Sequence, residues 1–197
     1  HGPGGLAKLA REQKAAHPDN ADFYEGLAIA LDGACEFMRR YAALAREQAE
    51  SSAERGELLE IARVCEKLAV QPPETYREAV QACWFLYVIL QMESNASSFS
   101  PGRMDQYLYP YYERDIASGA LTQEDALEIT ECLFLKFNQI VYLRSSSSAK
   151  YFAGFPIGFN VAVGGQDKNG QNAENELSFL FLRAQEHLLL PQPNLSA

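Results

Sequence analysis

The sequence predicts a mainly α-helical chain with a minor strand component, and three observations carry that reading. Apolar residues recur every three or four positions through most of residues 22–144, the spacing of helix faces. Residues 155–163 switch to alternation, with Phe155, Ile157, Phe159, Val161 and Val163 set against Pro156, Gly158, Asn160 and Ala162, the period of a strand. One more helical pattern, 173–189, closes the chain before Pro191. The expected organisation is therefore a single partial domain over 1–197: residues 1–21 as a flexible or short helical lead-in, 22–144 helical, and 145–197 as loop, strand and helix.

Each element has its own signal. His1-Gly-Pro-Gly-Gly5 shows no periodicity and reads as a flexible leader or cloning scar. From Phe23 the positions Phe23, Leu27, Leu31, Ala34, Met38, Tyr41 and Ala45 form one stripe of a long amphipathic helix. Ser51-Ser52 breaks it, and Leu58, Ile61 or Ala62, Cys65 and Leu68 continue the period in a second helix that fades before Pro72. Pro72-Pro73-Glu74 suits a first helical turn, where a missing amide donor is harmless. Residues 79–92 are apolar on nearly every face and predict a buried helix. Another helix runs from Gly102 toward Ile116, interrupted or kinked near Pro110. Thr122-Gln-Glu-Asp125 caps a helix reaching about Leu143, with acids at its start and Arg144 at its end. Ser145-Ser-Ser-Ser148 is a loop by composition, and Asp167-Lys-Asn-Gly170 a turn. A lone strand cannot make a sheet, so the strand at 155–163 requires partners from chain outside this sequence.

Composition narrows the function. With 197 residues and 47% hydrophobic content the chain is long enough to bury a sizeable core. Its 17 basic and 26 acidic residues give a net charge of −9, which argues against nucleic acid and membrane surfaces as partners. Cys35, Cys65, Cys83 and Cys132 lie in helical patterns without CxxC spacing and read as small buried hydrophobes. His1, His17 and His187 lack ligand spacing, so no metal is expected. The absence of a leader or a membrane-length apolar run points to the cytoplasm. Gly165 and Gly170 have phosphate-loop spacing, but Gln171 and Asn172 stand where Lys and Ser or Thr are needed.

The most informative stretch is Ser94-Asn-Ala-Ser-Ser-Phe-Ser100, where a long apolar helix ends in a dense run of small polar residues. Unpaired polar groups at such a place are costly, and a polar ligand can pair with them. The alternative is a helix end whose Ser and Asn satisfy their own backbone. This stretch is followed by Gly102-Arg103, Asp105-Gln-Tyr107, Tyr109-Pro110 and Glu113-Arg-Asp-Ile116. Later come Phe152-Ala-Gly-Phe-Pro156, Val163-Gly-Gly165 and Leu190-Pro-Gln-Pro-Asn-Leu195. In this order the phrases resemble the pyruvate formate-lyase-like glycyl radical enzymes, especially their glycerol, choline, isethionate and hydroxyproline lyase branches.

The resemblance implies a fragment of that family's α/β barrel, consisting of outer helices plus a barrel strand. It implies a substrate pocket lined by Asn95, Ser97 and Ser98 and walled by Phe152 and Phe155. Ser97 and Ser98 occupy positions where glycerol-type dehydratases carry a His-Ser pair; the missing His puts glycerol dehydration in doubt. Arg103 and Asp105 read as structural, pairing near a helix start. The family's cofactor is a glycyl radical, relayed to a cysteine in a Gly-Cys-x-Glu motif. Neither that motif nor the Arg-Val-x-Gly-Tyr motif of the radical glycine occurs here, so the chain alone is expected to be inactive. The whole enzyme would be an anaerobic lyase or dehydratase of a small-molecule substrate, cleaving a C–O, C–N, C–S or C–C bond. It would be homodimeric and activated by a radical S-adenosylmethionine enzyme. The alternatives are a formate acetyltransferase (pyruvate formate-lyase) or arylacetate decarboxylase segment, and an all-helical interaction module.

Overall fold

The computed structural model describes residues 1–94, 99–140, 145–152 and 160–197, the Phe152 side chain excepted. The chain divides into two compact units, His1–Glu74 and Thr75–Ala197.

In the first unit three helices, α1 (Gly2–Ala16), α2 (Ala21–Ala49) and α3 (Arg55–Val70), pack against one another, with a 3₁₀ turn at Pro18–Asn20. The buried stripe of α2 is built from Ala28, Ala34, Cys35, Met38, Ala42, Ala45 and Ala49. Ala28, Cys35, Ala42 and Ala49 are seven residues apart, the repeat that keeps one seam facing a partner helix. Opposing them are Ala7 and Ala10 of α1 and Ala62, Val64, Cys65, Leu68 and Ala69 of α3. Short side chains on all three helices let the backbones approach closely. The sequence stripe was correct at Ala34, Met38 and Ala45, but Phe23, Leu27 and Tyr41 are exposed. Bulky residues dominate a periodicity count, whereas here the smallest ones make the seam.

The leader reading of residues 1–5 is likewise corrected, because α1 begins at Gly2 and Pro3 is buried. A Cβ on Gly4 would stand 2.9 Å from the Ala69 carbonyl oxygen, so the absence of a side chain lets α1 lie on the last turn of α3.

The second unit carries α4 (Tyr76–Ser94), β1 (Gly102–Arg103), α5 (Met104–Ala117), α6 (Gln123–Asn138), α7 (Ser146–Phe152), β2 (Asn160–Ala162), α8 (Glu176–Leu188) and β3 (Asn194–Ser196). Pro72-Pro73-Glu74 precedes α4 without joining it. The helix starts at a reciprocal cap in which the Glu78 amide donates to Thr75 Oγ1 (3.2 Å) and the Thr75 amide to Glu78 Oε2 (3.3 Å). The Tyr76 amide donates to Asp115 Oδ2 at 2.6 Å, and its hydroxyl lies 2.7 Å from Thr130 Oγ1, tying α4 to α5 and α6. Tyr76, Tyr87, Tyr112, Phe134, Phe137 and Phe181 centre the core. Tyr87 meets Phe137, and Phe134 meets Phe181, edge to face, the arrangement ring quadrupoles favour. Leu86, Leu90 and Met92 remain exposed, so α4 is not covered on every face.

Three further expectations change. The helix from Thr122 ends at Asn138 rather than near Leu143, its side-chain amide turning back to the Phe134 carbonyl (2.9 Å). Ser146–Phe152 is helical, because Ser145 Oγ accepts from the Ser148 amide as an N-cap would. Most consequentially, the strand is not alone: β1, β2 and β3 form a parallel sheet in that order, with Gly102 opposite Val161 and Asn160 opposite Asn194. Strands of two or three residues carry no periodicity, so β1 and β3 were invisible in sequence, and β1 was absorbed into the predicted α5. The sheet also removes the all-helical alternative. Pro110 lies inside α5, which runs on past it to Ala117.

Candidate functional site

The site candidates flank this sheet in sequence. Parallel strands begin at the same end of a sheet, and in sequence residues 95–98 precede β1 and residues 153–159 precede β2. Asn95, Ser97, Ser98 and Phe155 lie outside the described residues. Phe152 ends α7, with nothing described of its side chain. The flanks are described, and they meet: the Asn160 amide donates to Ser100 Oγ at 3.1 Å. At the helix side Ser94 Oγ donates back to the Leu90 carbonyl at 2.7 Å. Of the polar run, then, Ser94 satisfies its own helix, as the helix-end reading expects, while Ser100 is bonded to the start of β2.

Beyond the other end of the strands the turn after β2 is held by bonds to several of its backbone groups. The Val163 amide donates to the Ser196 carbonyl (2.8 Å), and the Ala173 amide to the Gly165 carbonyl (2.9 Å). The Gly164 amide donates to Asp105 Oδ2 at 2.6 Å. The Arg103 guanidinium donates to the Gly164 carbonyl and, at 2.9 Å, to the Gln166 carbonyl. Gly164 and Gly165 have φ of +66° and +80°, a left-handed conformation that L side chains resist. The Val163-Gly-Gly165 phrase is thus a conformational requirement.

Asp105, fully buried, gathers these elements. Its Oδ2 also accepts from Ser178 Oγ (2.5 Å) and Gln106 Nε2 (3.0 Å), and Gln106 Nε2 reaches the Ala173 carbonyl (2.7 Å). Ser178 and Asn175 form the capping box of α8, and Asn175 Nδ2 donates to the Asp105 carbonyl (3.2 Å). The expectation that Arg103 and Asp105 pair with each other is corrected: both grip the same residue, Gly164, Arg103 on its carbonyl and Asp105 on its amide, and so hold the two peptide units on either side of its Cα. Sequence reasoning missed Gln106, Asn175 and Ser178. The signal was present in Asn175-Glu-Leu-Ser178, which has capping-box spacing, but nothing in it identifies Asp105 as the partner.

The cysteines do not fit a catalytic thiol. Cys35 and Cys65 are buried among the alanines of the first unit, and burial pushes the Cys65 thiol up to about 11. Cys83 is also raised to about 11 by burial, opposed by a hydrogen bond with Tyr107. Cys132 is exposed, contrary to the buried reading. Tyr107 is 43% exposed, and its hydroxyl donates to the Pro101 carbonyl at 3.1 Å. Among the described residues no His, Cys, Asp and Glu cluster could hold a metal ion, and no helix is long and apolar enough to cross a membrane.

Comparison with known proteins gives this geometry a context. The family Pyruvate formate lyase-like matches residues 1–197. The chain is 43% identical over 181 residues to the probable dehydratase YbiW of Escherichia coli K12, covering 88% of this chain and 22% of that protein. It is 40% identical over 181 residues to the indoleacetate decarboxylase of Tractidigestivibacter scatoligenes, covering 90% and 20%. The crystal structure of a glycyl radical enzyme from Archaeoglobus fulgidus superposes with a TM-score of 0.92 at 35% identity, over 98% of this chain and 26% of that one. The chain thus spans about a quarter or less of the length of these relatives.

Proposed function

The chain belongs to the pyruvate formate lyase-like glycyl radical enzymes, and from that premise we propose that it supplies the substrate-pocket segment of a lyase or dehydratase. The full-length protein would cleave a C–O, C–N, C–S or C–C bond of a small polar molecule. The observation that carries this reading is the Ser100–Asn160 hydrogen bond. It joins Ser100, two residues after 95–98, to Asn160, the residue after 153–159, which supports a reading in which Ser97 and Ser98 offer hydroxyls and Phe152 and Phe155 an apolar wall to one substrate. Hydroxyls orient a carboxylate, hydroxyl or sulfonate, and aromatic walls exclude water.

In this family the radical supplies hydrogen abstraction from substrate. The cysteines here do not fit that relay, so no step is assigned to them; the contribution of residues 1–197 is to bind and orient. We place the full-length protein in the cytoplasm as a homodimer activated by a separate radical S-adenosylmethionine enzyme, a reading that rests on family membership.

The test uses the activated full-length protein, assayed against glycerol, choline, isethionate, trans-4-hydroxy-L-proline, indoleacetate, and pyruvate with coenzyme A. Ser97→Ala and Ser98→Ala are expected to leave radical content intact while weakening turnover of the accepted substrate by about 1–3 kcal/mol, the cost of leaving a buried polar group unpaired. Wild-type kinetics per radical in both variants would remove the serines from the pocket. The indoleacetate decarboxylase relative favours a second reading, arylacetate decarboxylation, and release of carbon dioxide from indoleacetate would select it.

A further inference from the structure

We propose that Arg103 and Asp105 are positioning residues for substrate, acting as a two-sided clamp on Gly164 that fixes the offset between the two pocket-bearing segments. This rests on the pocket reading above and adds to it the element that sets the pocket's geometry.

The sheet alone is a weak determinant of that offset. β1 has two residues and β2 three, so few ladder bonds hold their register, and a one-residue slip would turn every side chain to the opposite face. The clamp lies just beyond the other end of these strands. Asp105 follows β1 by two residues, and Gly164 follows β2 by two. Linking them at 2.6 Å therefore ties the end of β1 to the end of β2, while Ser100–Asn160 ties their beginnings. Arg103 sits in β1 itself, opposite Ala162, and holds the carbonyls of Gly164 and Gln166.

The charges are informative. A buried carboxylate is expensive, and an Arg one residue from the helix start would ordinarily neutralise it directly. Here the guanidinium and the carboxyl are instead directed at the two peptide units that flank the Gly164 Cα, and Asp105 Oδ2 takes three donors while Oδ1 has none. Charge-assisted hydrogen bonds are about twice as strong as neutral ones, which suits a joint that must not creep. A turn needed only for chain reversal would be served by the two glycines and the Ala173–Gly165 bond.

The test compares wild type, Arg103→Lys, Arg103→Met, Asp105→Asn, Ser97→Ala and Ser98→Ala in the activated full-length enzyme. Radical content, thermal midpoint, kcat and KM per radical, and amide exchange of peptides covering 95–103 and 153–166 are measured. Arg103→Met and Asp105→Asn are expected to lower kcat/KM per radical on the order of 10–100-fold, the effect of misplacing a reacting group by about an ångström. Exchange should quicken in those two peptides and not in α6, and Arg103→Lys, which keeps one donor charge, should recover part of the loss. Global quickening with a fallen midpoint and normal kinetics per radical would reduce the clamp to a stability element and overturn the proposal. Altered kinetics in Ser98→Ala with unchanged kinetics and exchange in the clamp variants would overturn the clamp and leave the pocket standing. Normal kinetics in Ser98→Ala and in Ser97→Ala alike would instead sink the serine pocket reading, whatever the clamp does. Because exchange is read without substrate, the clamp is tested even where turnover is slow.

Discussion

Residues whose environments differ most sharply give the most direct checks. Cys35 and Cys65 are enclosed in the first unit, while Cys132 faces solvent on α6. Burial raises the Cys132 thiol, and Glu128 and Glu131 raise it further, so its thiolate form is scarce near neutral pH. We expect one cysteine, Cys132, to lead modification by an alkylating reagent, with a rate that climbs as pH rises; Cys35 and Cys65 should react only on unfolding. Mass-spectrometric mapping of the labelled sites decides it. The opposite kind of constraint operates at Gly164, where an added methyl has room, its nearest contact being Glu174 Cβ at 3.8 Å, but φ is +66°. Gly164→Ala should therefore cost about 1–2 kcal/mol through backbone strain alone, measured as a shift in the denaturation midpoint. The sequence announced the glycines as a phrase; that they are required by conformation and gripped by Arg103 and Asp105 depends on residues some 60 positions apart, which no local pattern displays.

At the scale of elements, caps were legible and packing faces were not. Thr122 and Asp125 form the expected box, with the Asp125 amide on Thr122 Oγ1 (3.1 Å) and the Thr122 amide on Asp125 Oδ2 (3.2 Å). Thr122→Ala should destabilise the chain by about 1 kcal/mol. The Thr122 hydroxyl and then its amide hold the Asp125 carboxyl below its usual value. The cap is accordingly complete above the ordinary aspartate pKa of about 4 and is lost as pH falls through the lower folded value. The stability difference between wild type and Asp125→Asn should persist at neutral pH and vanish in that acid window, read by thermal melts across pH. The helix α2 teaches the converse. Its sequence stripe favoured Phe23 and Tyr41, but the seam runs through Ala28, Cys35, Ala42 and Ala49. Ala42→Leu should thus cost about 1–3 kcal/mol by overpacking, whereas Phe23→Ala, at a residue 64% exposed, should stay within roughly 0.5 kcal/mol.

The whole chain reads as mainly helical with a minor sheet, and that much was carried by periodicity. The parallel pairing was not, because two- and three-residue strands acquire their identity only from their neighbours. What the chain leaves uncovered points the same way. Ile29 and Val70 are exposed in the first unit, and Leu86, Met92, Phe179 and Leu189 in the second, the last at 82%. Single exposed apolar residues are ordinary, but bulky ones on both units of a chain that spans 22% of its relative YbiW have a simple account: contact with the remainder of the full-length protein. Residues 1–197 prepared as an isolated polypeptide should then self-associate and bind a hydrophobic dye, and sedimentation should show association that grows with concentration. The same positions in the full-length protein should be protected, so Met92 should resist peroxide there and oxidise readily in the isolated chain. A monodisperse monomer without dye binding, or equal Met92 oxidation in both forms, would mean that these side chains are ordinary surface and that the chain is more self-sufficient than its share of the family fold implies.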